Sequence, residues 1–130
     1  MPTLPTFQAA LFYSAALLHV TIVPKHMYVG ATAVTEAIAA IPSQPRYAKA
    51  KAILKTVWDH GNAAVLILAL LNYKWAKYGP PTLIEEKMML GLSALGGFYA
   101  GWPYFKQEMY LPLGMLWVAP IVSTMATMIF

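Results

Sequence analysis

Residues 7–23 read Phe-Gln-Ala-Ala-Leu-Phe-Tyr-Ser-Ala-Ala-Leu-Leu-His-Val-Thr-Ile-Val, a run without a formal charge. A helix rises about 1.5 Å per residue and a bilayer's hydrocarbon core is about 30 Å thick, so such a run is just long enough to cross. Pro24 and Lys25 follow it and are expected to close it as the first span.

The whole chain agrees with that reading. Of 130 residues, 59% are hydrophobic and only 11% charged, against roughly 45–50% and about 25% in soluble domains. This predicts an all-α, polytopic integral membrane protein folded as a single domain over residues 1–130. No cysteine is present, which excludes disulfides, thiolate metal sites, iron–sulfur clusters and cysteine nucleophiles. The net charge of +4 is scattered between apolar runs rather than arranged in a stripe with interleaved aromatics, so nucleic acid is not an expected partner. No lysine or arginine precedes the first run, which departs from a signal peptide, and the expectation is an uncleaved first span.

Beyond Pro24, residues 28–41 contain Glu36 and stop at Pro42. They are too short for an easy crossing and are expected to form an interfacial or re-entrant helix. After Pro42-Ser43-Gln44-Pro45 the chain turns rich in helix formers with a basic face from Arg46, and a second span is expected over about 57–75, with Trp58 at one interface and Tyr73-Lys74-Trp75 at the other. Gly79-Pro80-Pro81 forces a turn, and Glu85 and Glu86 favour the start of the next helix through its dipole. The third span is expected over about 88–103 and the fourth over 109–130, with Pro112 in its first turn and Pro120 as a mid-span kink. The result is a four-helix transmembrane bundle with a short interfacial helix after the first span. Lys25, Arg46, Lys49, Lys51, Lys55 and Lys106 flank the first and third connections, against Lys74, Lys77 and Lys87 at the second, so the positive-inside rule puts both termini on the non-cytosolic side. The organelle is not fixed, with the endoplasmic reticulum favoured.

Polar groups at the span mouths carry the functional expectation, because ionisable residues there are costly. Asp59, His60 and Asn62 stand at the entry of the apolar run 63–71. Neighbouring Asp59 and His60 diverge by about 100° on a helix, whereas Asp59 and Asn62 share a face. Asp59, His60, Glu36 and His19 form the candidate catalytic set, expected to line a pocket for acid–base chemistry. Bland roles stand beside these: Asp59 as partner of Lys55 one turn back, His60 at headgroup level, Glu36 on the polar side of an interfacial helix. His19, His26 and His60 with Asp59 or Glu36 would suffice for zinc or non-haem iron, and His19 opposite His60 for a haem. No compact ligand motif chooses among these, so metal and cofactor content stay open. Hydrolase and phosphate-loop motifs are absent from the sequence.

Ser93, Gly97 and Gly101, spaced by four, make a face that a partner helix could approach closely. In layout, short apolar spans with a longer basic connection after the first, the chain resembles small four-helix membrane families such as the DoxX-like and anthrone-oxygenase-like proteins. That resemblance is one of layout and assigns no residue a role. The expected function is a small membrane-embedded enzyme or enzyme component, acting by isomerisation- or cyclisation-type proton transfer on a lipophilic isoprenoid, polyketide or lipid in a biosynthetic step. The alternative is a non-catalytic accessory or assembly subunit docked through Ser93, Gly97 and Gly101.

Overall fold

The computed structural model describes residues 6–129, and all regular structure among them is helical. The residues before Thr6 and the expected end of the fourth span at Phe130 lie outside the described residues. Helix α1 (Thr6–Val29) runs through a π turn (Gly30–Val34) into α2 (Thr35–Ala40). Helices α3 (Pro45–Tyr78) and α4 (Ile84–Lys106) follow, then a second π turn (Gly114–Val118) that leads into α5 (Ala119–Thr127).

The stop expected at Pro24 is not a stop. Proline removes one backbone donor and crowds the preceding turn, yet α1 continues through it, and residues 28–41 extend the same rod instead of forming a separate helix. The rod is interrupted only by the π turn, where Thr35 Oγ1 donates to the Gly30 carbonyl at 2.8 Å. Two stretches, Phe7–Ala40 and Pro45–Tyr78, are long and apolar enough to cross a membrane. Each has 34 residues, about 51 Å of helix at 1.5 Å per residue. The last apolar helix, Gly114–Thr127, has 14 residues, short of the roughly 20 a span requires. A turn at residues 107–112, with Glu108 at φ 58°, takes up the start of the expected fourth span.

α1 is central. It packs antiparallel against α3 on one side and against α5 on the other, while α4 joins the assembly through the second π turn and α5. The antiparallel register shows in the ring pairs Tyr13–Tyr73 and His26–Trp58. The tightest packing gathers Phe12, Trp75, Ala76 and Ala126, with Phe12 and Trp75 rings 5.9 Å apart. Buried polar side chains bolt the same three helices. Gln8 Nε2 donates to the carbonyls of Ala126 at 2.8 Å and Ile129 at 2.9 Å, and Ser123 Oγ donates to Asn72 Oδ1 at 2.5 Å. In an apolar setting such interhelical bonds stabilise by about 0.6–2 kcal/mol each.

The turn after α3 has its own lock. Gly79 sits at φ 117°, a conformation that L side chains rarely adopt. Glu86 accepts from the Lys74 ammonium and from the Thr82 backbone N–H at 3.2 Å. The Lys74 hydrogen bond, aided by the Thr82 N–H and opposed by burial, holds the Glu86 carboxyl below the usual range.

The small-residue face of α4 is filled from within the chain. Gly97 and Gly101 are buried, and a Cβ on Gly97 would lie 2.2 Å from the Leu116 carbonyl oxygen. Leu116 stands four residues before Pro120, which has no N–H to offer its carbonyl. A Cβ on Gly101 would lie 2.1 Å from Trp117 Nε1. That nitrogen donates to the Phe98 carbonyl at 3.3 Å, and the two rings stack at 5.1 Å. Small residues here admit the second π turn of the same chain.

Candidate functional site

Because α1 runs on past Pro24, Ile22, His26 and Val29 keep helical spacing and share a face, with Lys25 on its flank. That face borders a half-open hollow of about 280 Å³, lined opposite by Trp58, Tyr104 and the largely exposed turn Met109–Pro112. Its walls are largely apolar, and His26 is the imidazole among them.

The His26 ring is fixed from several directions. It stacks on Trp58 with centroids 4.1 Å apart and planes within 2°, an aromatic pairing that stabilises by about 0.5–1.5 kcal/mol beyond its buried area. Trp58 Nε1 donates to the His26 carbonyl at 3.3 Å, locking the indole to the same turn. Trp58 in turn fits because residue 30 is glycine: a Cβ there would lie 2.4 Å from the indole nitrogen. The π turn begins at that glycine, and π turns are frequent beside functional sites. Gly61 lines the imidazole edge, where a Cβ would stand 3.4 Å from His26 Cε1.

Asn62 sets the tautomer. Its Nδ2 donates to the Asp59 carbonyl at 3.4 Å, which turns Oδ1 toward His26 Nδ1 at 3.0 Å. An amide oxygen can only accept, so Nδ1 is the donor in this contact, and in the neutral form of the ring the lone pair lies on Nε2. The arrangement is an imidazole, oriented by an amide and an indole, beside an apolar hollow. It can take up a proton from a bound molecule and return it.

The residues expected from sequence lie elsewhere. Asp59 is exposed and paired with Lys55, the anchor weighed against a catalytic role. His60 and Glu36 are exposed on α3 and α2. His19 is 1% exposed, with Nδ1 donating to the Ala15 carbonyl at 2.8 Å and Nε2 without a protein partner. None of Asp59, His60, Glu36 and His19 lines the cavity beside His26. Of the polar entry on α3, Asn62 alone reaches the site. His26 entered the sequence reading only as a possible metal ligand, because the expected helix end at Pro24 had placed it in a connection. Its spacing of seven from His19 was the available signal, since on an unbroken helix the two fall near one face.

Metal ligation finds no support in this geometry. Among the described residues no group of three or more histidine, aspartate or glutamate side chains comes together. The α1–α3 register sets His19 near the level of Leu66, six residues from His60, or about 9 Å along the axis. His19 is buried in the helix packing while His60 is exposed, so the two imidazoles do not face one another.

Comparison with family models, with curated proteins and with solved structures finds no match.

Proposed function

We propose that this chain is a small membrane-embedded enzyme, or enzyme component, that binds a lipophilic small molecule in the cavity beside His26 and moves a proton on it. The observation that carries this reading is the oriented His26 imidazole on an apolar cavity wall. Nε2 removes a proton from the substrate, and the imidazolium returns it at another atom, giving an isomerisation or the proton steps of a cyclisation. Burying the reaction among apolar walls strengthens each electrostatic interaction within it. Asn62 is a positioning residue, holding the tautomer that leaves Nε2 basic.

The reading includes a place in the bilayer. Trp58 and Tyr78 are twenty residues apart on α3, about 30 Å, which matches a hydrocarbon core bounded by two aromatic belts. The cavity then sits at one headgroup boundary, and a substrate enters sideways from lipid. In this multi-pass arrangement α4 and α5 complete the bundle, with the lysine-rich ends of α1 and α3 facing the cytosol.

The test is a small-molecule profile of membranes carrying the wild-type chain or single variants. His26→Ala and Asn62→Ala are expected to change the same compounds, substrate accumulating and product falling. Asp59→Asn and His60→Ala are expected to leave the profile as in the wild type. A profile indifferent to His26→Ala would overturn the proposal and favour the accessory-subunit reading. Gly97→Leu does not discriminate between the two, because that face holds the chain's own Leu116.

A further inference from the structure

We infer that His19 is a proton-operated latch on the seam between α1 and the second π turn, closed while its ring is neutral and released when Nε2 gains a proton. The latch does not depend on what the hollow beside His26 binds.

His19 belongs to the buried stripe of α1 that runs Gln8, Phe12, Ala15, His19 and Val23. That stripe faces the junction of α3 and α5: Gln8 bonds to Ala126, and Phe12 packs with Trp75 and Ala126. On α3 the level of His19 is that of Leu66. Across the seam it is that of residues 115–119, because α1 runs antiparallel from Gln8 beside Ala126 to Ile22 beside Gly114 and Met115.

The ring has a place for one proton. A carbonyl can only accept, so Nδ1 donates to Ala15 at 2.8 Å, and the lone pair of the neutral ring lies on Nε2, which has no protein partner. A second proton makes that nitrogen a charged donor, and no group of opposite charge faces it. Residues 15–23 of α1, 62–70 of α3 and 113–123 through the second π turn into α5 contain no aspartate, glutamate, lysine, arginine or tyrosine and no other histidine. Helix α4 reaches this region through Gly97 and Gly101, and Tyr99 between them is 85% exposed. The nearest titratable groups on the helices beside it, Tyr13 and Lys25 on α1 and His60 at the level of α3 below Leu66, stand six residues off, about 9 Å along the axis. An isolated charge in apolar surroundings costs far more than a neutral polar group, so the imidazolium has to reach water.

The packing decides where the fold gives way. Toward α3, the Tyr13–Tyr73 and His26–Trp58 ring pairs hold α1 on both sides of His19. Gln8 holds the far end of α5, which the Ser123–Asn72 bond ties to α3. The second π turn is backed only by the irregular stretch 107–112, and a half-open hollow lined by Leu18, Ile22, Gly114 and Met115 already parts it from α1 beside His19. Water reaches the ring there with the smallest displacement. Leu111 and Met115 also line the hollow beside His26, so release of the latch widens that hollow.

The chain has no cysteine of its own. A cysteine at Ala119, which is 0% exposed, reports opening of the seam, and one at Gly96, where a Cβ meets nothing within 4 Å, reports open surface. Modification of the full detergent-purified chain by a pyridyl disulfide reagent is followed between about pH 8 and about pH 4.5, across the histidine range. The ratio of the Ala119→Cys rate to the Gly96→Cys rate removes the pH dependence common to both thiols. With His19 present that ratio is expected to rise at least about tenfold on acidification, and to stay flat in His19→Leu and His19→Gln. In a His26→Ala, His60→Ala background the nitrogen-15 spectrum reports His19 alone, and its second proton should arrive over the same interval. A flat ratio with His19 present, a rise that survives both variants, or a ring that stays neutral while the seam opens overturns the inference. Where a substitution at residue 19 unfolds the chain, seen as a high ratio already at alkaline pH, the two midpoints measured with His19 in place decide: coincidence supports the latch and separation overturns it.

Discussion

Replacing Gly97 by alanine adds one methyl group at the point where α4 meets the second π turn. That methyl would sit 2.2 Å from the Leu116 carbonyl oxygen and 3.1 Å from its carbon, both backbone atoms that no rotamer change can move. Overpacking of this kind costs about 1–3 kcal/mol, and contact with backbone argues for the upper part of that range. Against it stands the helix-propensity gain of alanine over glycine, about 0.8–1 kcal/mol. The net expectation for Gly97→Ala is a loss of about 1–2 kcal/mol. Gly96 provides the internal control, since a Cβ there meets nothing within 4 Å. Gly96→Ala receives the propensity gain without the clash, so the difference between the two variants isolates the close approach at about 1–3 kcal/mol. Unfolding of detergent-solubilised protein, followed by helical circular dichroism and tryptophan fluorescence, reads this difference as roughly 4 °C per kcal/mol in midpoint. If the two variants unfold together, Leu116 does not rest on Gly97 and the packing of α4 is wrong.

Two further perturbations reach other parts of the fold. Gly30→Ala should push Trp58 off its seat, since the indole nitrogen lies 2.4 Å from the new methyl; the expected readouts are altered Trp58 fluorescence and loss of the His26-dependent activity without gross unfolding. At the α3–α4 turn, the Glu86 carboxyl is held low by Lys74, so its stabilisation is complete above the ordinary carboxyl range and is lost as pH falls through the lowered folded-state value. The stability difference between wild type and Glu86→Gln, measured by thermal unfolding across an acid titration, should therefore shrink on acidification, and a difference independent of pH would contradict the ion pair.

Much of this fold was legible because apolar length and aromatic placement are local properties of the chain. The apolar runs that begin at Phe7 and end at Leu71 read directly as helices, Gly79-Pro80-Pro81 as a turn, and Lys55–Asp59 as a one-turn pair, and each is present, the first helix running longer than its apolar run. What could not be read were the features decided by tertiary contact. Pro24 usually argues for a helix end, but one lost hydrogen bond is outweighed when both sides of the proline pack on α3. With the helix continuous, His26 moves from a connection into the α1–α3 seam and meets Asn62, thirty-six residues away. The spacing of Ser93, Gly97 and Gly101 showed that something approaches closely; only the fold shows the visitor to be Leu116 and Trp117, placed there by the π turn ahead of Pro120. Asp59 and His60 attracted attention by their charge, yet α3 turns them outward and presents Asn62, the less conspicuous neighbour, to the site.

The most direct test is the nitrogen-15 spectrum of histidine-labelled protein, with His26 assigned by its disappearance in His26→Ala. At alkaline pH, where the ring is neutral, the expected result is protonation at Nδ1 with an unprotonated Nε2, converting to a mixture of tautomers in Asn62→Ala. A ring protonated at Nε2, or one that Asn62→Ala leaves unchanged, would contradict the assignment of His26 as the oriented base.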